Sequence, residues 1–146
     1  LESKYVVEYY KGDYFKTSDI KDLNCLIYPI PKDLSLGIHV VLNLNGEVLF
    51  GPNVYKVDNI NYQNDDRYKK VFLKQANQLL SNDIKNIHID YSGIRPKIKY
   101  NGKINDFIIK EEKTLKNFYN LIGIDSPGLT SSLAIAEHVC DLIRLT

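Results

Sequence analysis

The chain has 146 residues, of which 44% are hydrophobic, and a formal net charge of +1. That apolar content is enough for a packed core and argues against global disorder. Lys is spread along the chain, whereas a nucleic-acid partner asks for a clustered basic face, so no nucleic acid is expected. No apolar run approaches the roughly 20 residues of a membrane span, and the first residues lack a signal-peptide pattern. A cytoplasmic location is the expectation, with membrane association left open.

Two counts bear on origin and redox chemistry. Met is absent from the sequence, which predicts a fragment, whether an excised domain, a proteolysis product or part of a split gene. Cys25 and Cys140 lie far apart without a C-x-x-C companion. Two buried or incidental thiols in a reducing compartment are therefore favoured over a disulfide or a metal site.

The first third of the chain is rich in β-forming residues. "KYVVEYYKGDYFKTS" predicts a strand pair or one long bent strand. "CLIYPIP" predicts a buried strand that ends at its prolines, because proline cannot donate to a ladder. The Asn45-Gly46 dipeptide lies between two β-rich runs and predicts a hairpin with a type I′ turn.

The remainder alternates between helix and strand. Apolar residues at helical spacing predict a helix over residues 65–80, capped by Asn64 or Asp65. "NIHIDYSGIRPKIKY", "DFIIKE" and "NFYNLIGI" predict strands, with a turn at "NGK". Residues 127–145 predict an amphipathic helix. Its apolar stripe comprises Leu129, Leu133, Ala136, Cys140 and Ile143. The whole predicts an antiparallel-rich α+β fold.

The segment "GIDSPG" joins the last predicted strand to the last predicted helix. It is not a G-x-S-x-G nucleophile elbow, because Gly123 lies three residues before Ser126 where the elbow needs two. It is not a P-loop either, since no Gly-Lys-Ser/Thr follows. A catalytic role for the Ser126 hydroxyl is therefore not expected.

The same turn can act through its backbone. Pro127 suits the first turn of a helix because its missing N–H is not needed there. The N–H groups that would be left free are those of Gly128, Leu129 and Thr130. Such a helix start favours a carbonyl or an anion. A plain cap, filled by Ser126 or Asp125 of the chain itself, is an equal alternative.

Two other side chains attract attention. His39 lies in the middle of a predicted strand, where a structural role is the common one, while His88 and His138 are expected at the surface. Three scattered histidines without metal-ligand spacing predict no metal site.

Arg95, in "SGIRPK", is one of only three Arg among 19 basic residues. Its planar fork suits a carboxylate partner, and an internal salt bridge is the equal alternative.

Seven motifs occur in one order: "KGDYF", "LIYPIP", "LGIHVVL", "GEVLFGPNV", "SGIRPK", "DFII" and "LIGIDSPGLTSSLAIAEHV". Together they resemble the C-terminal half of flavin-dependent oxidoreductases, the group of D-amino-acid oxidase, glycine oxidase and sn-glycerol-3-phosphate dehydrogenase. The L-2-hydroxyglutarate dehydrogenase/oxidase-like branch fits best. The resemblance covers nearly the whole chain.

The resemblance implies a domain organisation. FAD would be bound largely by a Rossmann-like N-terminal half, whose G-x-G-x-x-G this sequence lacks, and that half is the implied partner. Residues 1–90 would be a portion of an antiparallel substrate-binding domain. Residues 91–146 would return to the FAD-binding domain as strands and a final helix. The chain by itself is then expected to be inactive.

The resemblance also implies a reaction and a set of site residues. A small 2-hydroxy acid, similar to L-2-hydroxyglutarate, would lose a hydride from C2 to flavin N5. Arg95 would clamp the substrate carboxylate beside the flavin, with Tyr28 near the substrate. His39 would be the base or would orient the substrate hydroxyl, and Lys97 would contact the cofactor or a second carboxylate. The cofactor-facing turn would comprise Ser126, Pro127, Gly128, Leu129 and Thr130.

Three alternatives stay open at this point. The chain could be a non-catalytic remnant of such an enzyme that survives as a binding module. It could belong to an amine or amino-acid oxidase of the same group. A free-standing hydrolase that uses Ser126 is the least favoured.

Overall fold

The structure, a computed structural model, describes residues 5–30, 37–100, 102–104 and 106–145. Within them the strands are β1 Val6–Thr17, β2 His39–Leu42, β3 Val48–Gly51, β4 Tyr55–Val57, β5 His88–Tyr100, β6 Lys103–Ile104, β7 Ile108–Glu111 and β8 Tyr119–Ile122. A 3-10 turn, Asp66–Tyr68, leads into helix α1, Lys69–Leu80, and helix α2 is Ser132–Arg144.

The strands form one six-stranded sheet and one hairpin sheet. The order in the larger sheet is β2-β3-β1-β5-β6, and β4 pairs with β1. The pairs β1–β3, β2–β3 and β5–β6 are antiparallel, as is the separate pair β7–β8. The expectation of an antiparallel-rich mixture of strands and helices is confirmed at this level.

The chain divides into two compact units. Tyr10–Ile94 is one, and Leu1–Tyr9 together with Arg95–Thr146 is the other. The assignment of residues 1–90 and 91–146 to a substrate-binding and a flavin-binding domain stays a prediction.

The core of the unit Tyr10–Ile94 lies between the sheet and α1. Phe50 of β3 pairs with Phe15 of β1 on one side and with Val40 of β2 on the other, so strand alternation turns all three side chains to one face. Phe72 of α1 packs on Phe15 with ring centroids 4.6 Å apart. All four side chains are fully buried. Each aromatic side chain buried in this way contributes about 1.5–3 kcal/mol.

The helix prediction in this unit is confirmed over Lys69–Leu80, whereas Asp66–Tyr68 form a 3-10 turn that Asp65 caps. Asp65 is extended and accepts the Arg67 N–H at 2.7 Å, which is the geometry of an N-cap. At the other end, the Asn77 side chain accepts from the Ile84 N–H at 2.6 Å and donates to the Ile84 carbonyl at 3.0 Å. These two bonds tie the loop after α1 to the helix.

Two predictions in this unit are wrong in detail. Residues 25–30 of "CLIYPIP" are not a strand, because within the described chain they make only an isolated bridge between Ile27 and Val40, and the Leu26 and Ile30 side chains are exposed. Pro31 lies outside the described residues. The β2–β3 hairpin exists, but Asn45 does not adopt the positive φ of a type I′ turn, whereas Gly46 does, at +77°. The Gly46 N–H donates to the Asn43 carbonyl, so the loop is a three-residue turn with glycine in the left-handed position.

Helix α2 differs from its prediction in start and in face. It begins at Ser132 rather than near residue 127. The predicted stripe is exposed, with Leu129 and Leu133 at 92% and 85% accessibility. The apolar residues of α2 that are partly buried are instead Ile135, Val139 and Leu142. The helix therefore carries two apolar stripes, and one of them has no cover among the described residues.

We expect Phe72→Ala to destabilise the unit Tyr10–Ile94 by about 3–5 kcal/mol, because it leaves a cavity against Phe15. Urea unfolding followed by far-UV circular dichroism measures the loss. Val71→Ala is the matched control, since Val71 is the preceding helix residue and is 47% exposed. Its cost should stay within about 0.5 kcal/mol. Equal losses in the two variants would contradict this core.

Candidate functional site

His39 opens β2 in the unit Tyr10–Ile94. Its side chain is 8% exposed, its Nδ1 lies 3.2 Å from the Gly37 carbonyl oxygen, and its ring stacks on Tyr28 with centroids 4.5 Å apart. A carbonyl acceptor at Nδ1 favours the tautomer that carries its proton there, which leaves Nε2 as the acceptor nitrogen. The structure thus brings together two of the predicted residues, His39 and Tyr28, and holds the imidazole in one orientation.

Gly51 is the cross-strand partner of His39. Its φ is +143°, and a Cβ there would lie 2.7 Å from the Asp13 carbonyl oxygen and 2.8 Å from Cδ1 of Tyr14. Both the backbone conformation and the close approach of β1 therefore require glycine. The sequence patterns missed this role, although "FGP" at a strand end is the kind of signal that marks a special backbone position.

Asp13 is a buried carboxylate that no sequence pattern singled out. It is 1% exposed, its Oδ1 accepts from the Ser92 hydroxyl at 2.6 Å, and its backbone N–H donates to Asn53 at 2.7 Å. Burial, together with the hydrogen bond to Asp13, raises the pKa of the Tyr55 phenol. The cluster ties β1, β4 and β5 together inside this unit.

Arg95 lies on β5 in the unit that includes Arg95–Thr146. It is partly buried, and within the described part of the chain its guanidinium takes part in no hydrogen bond or ion pair. The alternative of an internal salt bridge therefore finds no support in these residues. A guanidinium that is partly desolvated and lacks a counter-ion is suited to a carboxylate or phosphate from outside.

Lys97, two residues along β5, has an internal partner. Its ammonium lies 2.8 Å from the Asp125 carboxylate, which is 10% exposed. A role of Lys97 at the cofactor or at a second carboxylate stays a prediction. The sequence indicates only a helix-capping role for Asp125, and the ion pair is a contact that sequence spacing does not show.

The turn that contains the predicted cofactor-binding residues differs from the expected helix start. The Ser126-Pro127 peptide bond is cis, and residues 126–131 form turns that precede α2. Pro127 is therefore not in the first turn of that helix. The Gly128 N–H is not free, because it donates to the Asp125 carbonyl at 2.5 Å. The N–H groups of Leu129 and Thr130 have no acceptor within the residues described.

Other classes of site are absent over the described ranges. They contain no group of three or more His, Cys, Asp or Glu that could hold a metal ion. Cys25 and Cys140 are free and exposed rather than buried. His88 and His138 are exposed, as expected. Neither described helix has the length and apolarity that a bilayer crossing requires.

Comparison with known proteins gives a consistent picture. The family model "FAD dependent oxidoreductase" (DAO) matches residues 2–142. L-2-hydroxyglutarate dehydrogenase, mitochondrial, of Arabidopsis thaliana is 39% identical over 150 residues, which is 91% of this chain and 31% of that protein. Glycerol 3-phosphate oxidase of Mycoplasma genitalium is 31% identical over 143 residues, 92% of this chain and 36% of that protein.

A solved structure shares the fold. Dithionite-reduced L-alpha-glycerophosphate oxidase from Mycoplasma pneumoniae, with FAD bound, superposes with a TM-score of 0.77 at 25% identity over 96% of this chain and 37% of that one. The chain therefore spans about a third of the length of the relatives that it matches.

We expect Gly51→Ala to cost about 1–3 kcal/mol more than Gly46→Ala, because only Gly51 meets the backbone of a neighbouring strand. Gly46 is the matched control, since its φ is also positive but no atom lies within 4 Å of the position that a Cβ would take. Denaturant unfolding gives the two costs. The His39 imidazole resonances should shift in Gly51→Ala and stay in place in Gly46→Ala; the reverse pattern would refute the role of Gly51 beside His39.

Proposed function

Because this chain belongs to the FAD dependent oxidoreductase family, we propose that the protein oxidises a small 2-hydroxy acid similar to L-2-hydroxyglutarate. The relative at 39% identity, named for that substrate, supports this choice. FAD is the family's cofactor and, when bound, takes the hydride from C2 of the substrate.

The observation that carries the proposal is the unpaired Arg95 guanidinium. A substrate carboxylate would accept two charge-assisted hydrogen bonds from the Arg95 guanidinium, which makes none to the described residues. A bidentate contact also fixes the orientation of the acid, and orientation of the reacting carbon is one of the contributions that a protein makes to such a reaction.

His39 is proposed as the group that takes the hydroxyl proton of the substrate or orients that hydroxyl. Loss of a hydride from C2 leaves a carbonyl only if the hydroxyl proton also departs, so a proton acceptor is needed. With Nδ1 facing the Gly37 carbonyl, Nε2 is the unprotonated ring nitrogen, and we assign it that step.

The turn at residues 126–130 is proposed to face the flavin ring. The N–H groups of Leu129 and Thr130 have no internal acceptor among the described residues, which fits donors aimed at a carbonyl or an anion. Such donors would stabilise negative charge on the reduced ring. The Gly128 N–H is not among them, because Asp125 already holds it.

The exposed stripe of α2 supports a partner half that binds most of the FAD. Leu133 of α2 and Leu129 in the turn before it expose most of their surface, and covering each would contribute about 1.5–3 kcal/mol. The curated relatives are about three times as long as the stretch they share with this chain. We propose that the nucleotide-binding half covers this stripe, and that the chain by itself is inactive.

The comparisons also support a second candidate substrate, glycerol 3-phosphate. Three relatives are named for glycerol 3-phosphate, which presents a phosphate rather than a carboxylate to a cation. A flavoprotein that contains this chain should be bleached anaerobically by L-2-hydroxyglutarate and not by sn-glycerol 3-phosphate. Bleaching by sn-glycerol 3-phosphate and not by L-2-hydroxyglutarate would assign glycerol 3-phosphate as the substrate. A purified protein without flavin would favour the alternative of a non-catalytic remnant.

We expect Arg95→Ala in that flavoprotein to lower kcat/KM for the 2-hydroxy acid by roughly 100- to 1,000-fold, because the carboxylate loses a charged, bidentate partner. Stopped-flow reduction of the flavin measures it. Arg144→Ala is the control, since Arg144 is exposed on α2 and, among the residues that the structure describes, pairs with Asp141 of the same helix. An unchanged rate of flavin reduction in Arg95→Ala would contradict the assignment of Arg95 as the group that binds the substrate carboxylate.

We expect His39→Gln to lower kcat by about 100-fold or more with KM changed by less than about threefold, because proton acceptance matters in the reaction and not in binding. Steady-state kinetics on the same flavoprotein separates the two constants. His88→Gln is the matched control, as His88 is an exposed strand histidine. A rise in KM with kcat intact would make His39 a binding group only.

A further inference from the structure

Lys97 and Asp125 form the ion pair that joins β5 to the turn before α2. Lys97 Nζ lies 2.8 Å from Asp125 Oδ2, and the two side chains are 35% and 10% exposed. A carboxylate that is nine-tenths buried has little water to replace its partner, so loss of the ammonium would leave it poorly solvated. The turn would then have to move to hydrate Asp125.

Asp125 also organises the turn through its backbone. Its N–H donates to the Gly123 carbonyl at 3.0 Å, and its carbonyl accepts the Gly128 N–H at 2.5 Å. Any shift of the Asp125 side chain is therefore transmitted to the peptide groups that follow it.

A close backbone approach fixes the same turn beside the ion pair. A Cβ at Gly123 would lie 2.7 Å from Cγ1 of Ile98, the residue next to Lys97 on β5. The turn thus touches β5 at two consecutive residues, three and two positions beyond Arg95. The arrangement leaves the turn little freedom to slide along the strand.

We propose that Lys97 and Asp125 are positioning residues, whose ion pair sets where the peptide groups of residues 126–130 stand relative to the Arg95 guanidinium. The inference rests on the proposed function, in which Arg95 holds the substrate and the turn faces the flavin. Lys97 then acts through Asp125 and the turn, and not by touching the substrate. This assigns Lys97 a role different from the one that the family resemblance implies.

Amide hydrogen exchange of the chain without flavin tests the first half of the inference. Exchange of the Gly128 N–H should be about tenfold faster in Lys97→Gln and in Asp125→Asn. The double variant should exchange at about the rate of either single variant, because the two changes break one interaction. Additive effects, or no effect, would overturn the coupling.

Lys99→Gln is the matched control for this measurement. Lys99 lies on the same strand, two residues on, and its ammonium lies 3.5 Å from Glu8, whose side chain is 13% exposed. It has a similar ion pair that does not reach the turn. Faster Gly128 exchange in Lys99→Gln would show a general loosening of β5 and would overturn the inference.

The flavoprotein tests the second half. Lys97→Gln should lower the flavin reduction potential and lower kcat about tenfold with substrate KM within twofold, and Lys97→Arg should restore both. A merely structural role would lower FAD occupancy without changing the potential of the loaded fraction, and that result would overturn the proposal. A rise in KM alone would show that Lys97 contacts the substrate, and that result would also overturn the proposal.

The two proposals fail in different ways. A wild-type protein that binds no FAD, or whose flavin no 2-hydroxy acid reduces, overturns the proposed function and the flavin-facing part of this inference. The exchange rates of the flavin-free chain still decide whether the pair fixes the turn. If the wild-type flavin is reduced normally and Lys97→Gln leaves the reduction potential and kcat unchanged, only the positioning role is overturned.

Discussion

Pairing along β1 and β5 is the constraint on which the other strands of the large sheet depend. β3 and β4 pair with β1, β2 pairs with β3, and β6 pairs with β5. The two strands are 12 and 13 residues long, whereas the remaining strands have two to four. Short strands have few ladder bonds of their own, so their positions, and that of His39 on β2, follow from the long ones.

A buried carboxylate strengthens this constraint and limits what can be changed near it. Asp13 on β1 would be costly to bury without partners, and Ser92 and Tyr55 supply them. Among the described residues, no buried side-chain nitrogen or oxygen lacks a partner. A fully satisfied polar cluster favours one register of the strands over its neighbours, because a slip by one residue would leave the carboxylate unpaired.

The sequence predicted the elements that depend on local periodicity and missed the ones that depend on distant backbone. The helix after Asp65 and the strand over residues 88–100 follow from spacing and capping alone. The strand expected in "CLIYPIP" is absent over residues 25–30, because in the described part of the chain their apolar side chains have no partner strand beyond the bridge at Ile27. The prediction of the buried face of α2 is wrong because both of its stripes are apolar, and only tertiary contact decides between them.

The residues of the candidate site also divide into those that composition can single out and those that depend on tertiary contacts. Arg95 could be singled out from the scarcity of Arg, a property of composition, but its lack of an internal counter-ion could not. The pairing of Lys97 with Asp125 spans 28 residues and depends on how the turn packs on β5, so no local pattern contains it.

The contrast between the two cations of β5 has a thermodynamic consequence. Lys97 has a carboxylate at 2.8 Å, whereas Arg95 has none among the described residues. A partly buried guanidinium without a counter-ion adds less to the stability of the empty protein than a paired one would. An anion that binds the folded state alone adds RT ln(1 + [L]/Kd) to its stability. In the proposed function, the Lys97–Asp125 pair would hold the backbone of the turn, and the Arg95 guanidinium would interact with the bound anion.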